Sequence, residues 1–116
     1  MSAFVNLTPH AVNIFQGRKV VVSYPSEGFV RVGQVVAPCG ALVDDALNEV
    51  GLFTVRQGEV EGLPEPKPGT IYIVSRLTAQ AVGGRDDVVF PLGEVRDENG
   101  RILGVTGFGC FPISDA

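Results

Sequence analysis

The side chains with the widest chemical reach gather in three short phrases. The first is Asn6-Leu7-Thr8-Pro9-His10, which holds the single histidine of the chain. His10 is therefore the only side chain whose ordinary pKa lies near neutrality. Thr8-Pro9 reads as the start of a turn, with the Thr8 hydroxyl free to bond a nearby amide. Such a turn would let Asn6 and His10 face one cavity. The second phrase is Ser75-Arg76 at a strand-to-helix junction, where unpaired N–H groups and a guanidinium suit one carboxylate or phosphate. The third is Arg85-Asp86-Asp87 after Gly83-Gly84, where a glycine pair permits close backbone approach. Each phrase has a plain structural alternative. These are a polar turn with an exposed histidine, a capped helix with a solvated arginine, and a loop closed by an internal ion pair.

Several chemistries are excluded by spacing. Asp86 and Asp87 are neighbours and would point to opposite faces of a strand, which argues against an acid/base dyad. Two aspartates alone make a poor calcium site. Cys39, Cys110 and one histidine have no zinc spacing, so no metal is expected. No glycine-rich phosphate loop is present, and no cofactor is expected. No nucleophile–base–orienter set is complete, so no catalytic residue is assigned. A small hydrolase pairing His10 with an aspartate is the least supported class. The two thiols are expected to be reduced and mostly buried. Gly107-Phe108-Gly109-Cys110-Phe111 reads as core or as an oligomer interface.

A chain of 116 residues fits one domain, residues 1–116. Charged residues make up 19%, below the roughly 25% of typical domains. That leaves weakly polar surface and points to a homo-oligomer. A net charge of −4 without a basic stripe argues against broad nucleic-acid binding. Met1-Ser2-Ala3-Phe4 lacks a basic leader, and no run approaches the roughly 20 apolar residues of a membrane span. The expected setting is cytoplasmic, with no membrane association.

The elements that must position these phrases are short and β-rich. Fifteen glycines and eight prolines punctuate valine-rich segments. Ala11 to Phe15, Val20 to Tyr24 and Phe29 to Ala37 read as strands that could form a meander, the third ended by Pro38. Residues 41–51 fit either a helix or two short strands around Asp44-Asp45 and Asn48-Glu49, with the extended reading favoured. Phe53 to Arg56 alternates as a strand. Three prolines at positions 64, 66 and 68 predict an extended connector. Thr70 to Ser75 is apolar on both faces, which predicts a central strand. Leu77 to Val82 reads as a helix capped by Ser75 and ended at Gly83-Gly84. Val88 to Phe90 is a strand before Pro91, and Asp97-Glu98-Asn99-Gly100 is a turn into a strand from Arg101 to Thr106. The sum is mainly β, a β-rich α+β class. One compact domain is expected, a twisted antiparallel sheet or partly closed barrel with one or two short helices.

The opening phrase, Gly62-Leu63-Pro64-Glu65-Pro66 with Pro68-Gly69-Thr70-Ile71-Tyr72-Ile73-Val74-Ser75, and Arg85-Asp86-Asp87-Val88 with Pro91 together resemble a group of small bacteriophage- and prophage-associated proteins. The group carries no assigned activity. The resemblance implies a phage-related setting, in the host cytoplasm or in a virion. By analogy it suggests an oligomer that sequesters a small anionic or nucleotide-derived ligand, as in evasion of host defence. In that reading Asn6, Thr8, His10, Ser75, Arg76, Arg85 and Asp86 bind the ligand. Asn6, His10, Arg76 and Arg85 should then converge. The alternative is a virion structural or assembly-accessory protein.

Overall fold

The computed structural model describes residues 3–83 and 85–112. Eight strands and one helix follow in order: β1 (Ala3–Asn6), β2 (Val12–Gln16), β3 (Lys19–Tyr24), β4 (Arg31–Val43), β5 (Glu49–Glu61), β6 (Thr70–Ile73), α1 (Arg76–Val82), β7 (Val88–Arg96) and β8 (Ile102–Gly109). Six strands form one mixed sheet in the order β1-β6-β7-β8-β2-β3. β4 and β5 form a second, two-stranded sheet by themselves. The class is mainly β, and the larger sheet curls into a partly closed barrel.

The curl is closed where the two edge strands approach. Asn6 at the end of β1 bridges Ser26 just beyond β3, and the Glu27 N–H donates to the Asn6 carbonyl at 2.8 Å. Phe4, Tyr24 and Phe108 fill the concave side, with ring centroids 5.4 to 6.1 Å apart. The sheet is not wholly antiparallel: β1–β6, β6–β7 and β2–β8 pair in parallel. Parallel neighbours need a crossover, and α1 supplies it between β6 and β7.

β6 is central, as its two apolar faces require. Tyr72 and Val74 pack with Leu7, Ala79, Val88 and Phe90 under α1, while Ile73 packs with Val12 and Val105 inside the curl. Ser75 caps α1: its Oγ accepts from the Thr78 N–H at 3.2 Å, and Gly83 ends the helix at φ 51°.

Other expectations are corrected as well. The strand around Val88 continues through Pro91 to Arg96. β7 meets β6 only at Val88 and Val89, so the missing proline N–H falls where that side of β7 has no partner. The strand beginning near Phe29 does not end at Pro38 and does not join a meander. It runs to Val43 and pairs with β5, because a two-stranded ribbon leaves one side of β4 free to accept a proline. Cys39 and Cys110 are free, as expected, but both are exposed.

The β4–β5 hairpin makes the molecule elongated rather than compact. The radius of gyration is 18.4 Å, against roughly 13 Å for a compact chain of about this length. The extents are 59 × 41 × 27 Å. Residues 41–51 form the end of this arm in the extended reading, with a turn at 44–48. Asp44 builds that turn: its Oδ1 accepts from the Ala46 and Asn48 N–H groups at 2.9 and 2.8 Å, and its Oδ2 accepts from Asn48 Nδ2 at 3.0 Å.

Candidate functional site

The opening phrase folds into a knot centred on Asn6, whose residue is fully buried. Asn6 Nδ2 donates to the carbonyls of His10 and Tyr24, both at 2.8 Å. Asn6 Oδ1 accepts from the Thr8 N–H at 3.0 Å. The Thr8 hydroxyl lies 2.6 Å from Asn6 Oδ1 and 2.9 Å from the His10 carbonyl. Ser26 Oγ donates to the Thr8 carbonyl at 2.6 Å. Both amide donors and the amide oxygen of Asn6 are therefore used within the protein. Asn6 joins β1, the turn and the end of β3, and holds no free group for a ligand.

His10 is exposed. It lines a depression of about 290 Å³ together with Thr8, Ser75, Val12, Pro91, Ile102 and Val105. No Asp, Glu, Cys, Lys or Arg lines it, so His10 has neither a carboxylate to orient it nor a thiol to activate there. The depression is mostly apolar.

The two candidate arginines lie elsewhere. Arg76 stacks its guanidinium over Phe90 and Phe111, 5.4 and 6.0 Å from the ring centroids. Arg85 forms a two-pronged pair with Asp87, Nε to Oδ1 at 2.9 Å and Nη2 to Oδ2 at 2.6 Å. Its Nη1 donates to the Pro64 carbonyl at 3.1 Å, and the guanidinium sits 5.9 Å from the Tyr72 ring centroid. The Arg85 hydrogen bonds hold the Asp87 carboxyl below its ordinary pKa, against the opposing effect of burial. The same hydrogen bonds raise Arg85. This pair clips the proline connector to the start of β7. Asp86 is exposed on the rim of a different depression, with Pro66, Lys67 and Gly69.

The seven candidate residues thus divide. Thr8, His10 and Ser75 share one depression, while Asn6, Arg76, Arg85 and Asp86 do not line it. Asn6, His10, Arg76 and Arg85 do not converge on a common cavity. Among the described residues, no cluster of three or more His, Cys, Asp or Glu side chains could hold a metal ion. No helix among them is long and apolar enough to cross a membrane.

The arm is a chemically unusual surface. Every residue from position 33 to 57 is exposed. Alternation along β5 places Val50, Leu52, Thr54 and Arg56 on one face, opposite Leu42, Gly40, Ala37 and Val35 of β4. Phe53 and Val55 lie on the other face, opposite Pro38 and Val36. Both faces are apolar: Val36, Phe53 and Val55 are 56%, 55% and 59% exposed, and Leu42 and Val50 are 57% and 58%. At the tip Leu47 is 84% exposed and adopts φ 66°, a left-handed conformation uncommon for leucine. The individual residues of this surface were visible as apolar runs such as Val35-Val36 and Leu42-Val43. Their common exposure was not, because an apolar run reads equally well as a buried strand. No protein-family model, curated protein or solved structure matches this chain.

Proposed function

We propose that this chain is a self-assembling subunit, structural or assembly-accessory in kind, that joins copies through its β4–β5 arm. One observation carries the reading: a two-stranded ribbon that is apolar on both faces and projects into solvent. An isolated hairpin is marginally stable in water, and an exposed apolar patch of this extent marks an interaction surface. The resemblance noted in the sequence supports a phage-related setting, either in the host cell or in the virion. The sequestration reading has less support. A small anion needs cationic groups, and Arg76 and Arg85 both lie outside the depression beside His10, with Arg85 already paired to Asp87. That depression fits a small neutral apolar group instead.

Analytical ultracentrifugation of the full chain tests the proposal. Oligomers are expected at tens of micromolar. The triple variant Val36→Lys/Leu52→Lys/Phe53→Lys, which places charge on both faces of the arm, should be monomeric with an unchanged circular-dichroism spectrum of the body, because all three side chains are exposed and lie outside its core. A wild-type chain that stays monomeric at a few hundred micromolar while folded would sink the proposal.

A further inference from the structure

The face of the arm that carries Leu52 has a polarity that its opposite face lacks. At one end stands Arg56, which has no carboxylate within ion-pair distance among the described residues. At the other end stand Asp44 and Asp45 in the tip turn, with Asp44 level with Asn48 through the Asp44 N–H to Asn48 carbonyl bond at 3.0 Å. Between them the face is apolar apart from Thr54, built mainly from Ala37, Leu42, Val50 and Leu52. Leu52 is four residues from Arg56 and four from the level of Asp44. At about 3.3 Å per residue each charge lies roughly 13 Å from Leu52, in opposite directions.

A strip that is cationic at one end, anionic at the other and apolar between them is complementary to itself when reversed. Building on the assembly reading above, we propose that the occupant of this face is the same face of a second copy. The arms lie antiparallel, with a two-fold axis at Leu52 and Arg56 of each copy beside the acidic tip turn, Asp44 and Asp45, of the other. Such a contact is isologous, so each charge pair occurs twice. A parallel arrangement would set Arg56 against Arg56 and the acidic tips against each other. A different partner would need its own matching charge spacing, whereas a second copy already has it. The overlapped strip is about 26 Å by roughly 10 Å, a footprint of about 260 Å² on each copy. That is small beside the roughly 800 Å² per partner of a stable interface. The dimer formed this way should therefore be weak by itself, and the Phe53 face remains for further copies.

Charge exchange on the full chain tests this. Arg56, Asp45 and Leu52 are exposed, so their substitution leaves the body core untouched. Arg56→Glu and Asp45→Arg should each weaken self-association at least tenfold in sedimentation equilibrium. The double variant Arg56→Glu/Asp45→Arg should restore it to within about threefold. Leu52→Cys, in a chain also carrying Cys39→Ser and Cys110→Ser, should give a disulfide-linked dimer on mild oxidation. Assembly that is indifferent to the charge exchange and gives no Leu52→Cys dimer would overturn antiparallel pairing while leaving arm-mediated assembly intact. A wild-type chain that never assembles would overturn both readings.

Discussion

Asn6 shows how a residue chosen for its chemistry can be consumed by architecture. Its amide satisfies two carbonyls and one backbone N–H that would otherwise be orphaned around the closure of the barrel. Asn6→Ala should cost roughly 2–4 kcal/mol, since buried polar groups left unpaired lose their full desolvation energy. Urea unfolding of the two proteins measures this, and a loss under about 0.5 kcal/mol would mean that water replaces the amide. Arg85 and Asp87 behave similarly. The folded pKa of Asp87 is depressed. Its contribution is therefore present above the ordinary carboxylate pKa of about 3.9 and is lost as pH falls through the lower folded value. At pH 7, Asp87→Asn should destabilise by roughly 2 kcal/mol, the scale of a charged hydrogen-bond pair. That gap should close as the pH drops below about 4. A gap that stays constant from neutral pH to pH 2.5 would assign the stabilisation to something other than the ion pair.

At the scale of elements, the local punctuation was readable. The Ser75 cap, the helix stop at Gly83, the proline connector and the turn at 97–100 are each set by neighbouring residues, and each appears where the residue types place it. Strand ends were less readable wherever a proline lies within a strand. Pro91 and Pro38 both sit in ladders because each has an unpartnered side, a property of the neighbouring strand rather than of the proline. β8 offers a related case. A Cβ on Gly104 would run into the Asn13 carbonyl and the Phe15 ring, so the glycine allows β2 and β8 to pair closely. Nothing local to Gly104 distinguishes that role from a turn glycine.

At the scale of the whole molecule, the body and the arm differ in how they are held. The body strands β6 and β7 carry core side chains, whereas the arm is a ladder whose side chains find almost no apolar partners in one copy. Arm amides should therefore exchange with solvent rapidly when the protein is dilute, and slowly at concentrations where it assembles. Amides of β6 should be protected in both conditions. Hydrogen exchange read by mass spectrometry at two concentrations checks this. Strong arm protection in a dilute, demonstrably monomeric sample would show that the ribbon is stable alone and would count against assembly as its purpose.

The sequence by itself determined the β-rich class, most strand positions and the helix with its cap. Those properties follow from composition, period and short-range sterics. Tertiary structure alone decided the strand order, the parallel pairings, the employment of Asn6 and Arg85 as internal ties, and the projection of residues 33–57 as an arm. The physical reason is range. An apolar alternating segment states that it will be covered, but only the long-range pairing of the chain shows whether its own body covers it.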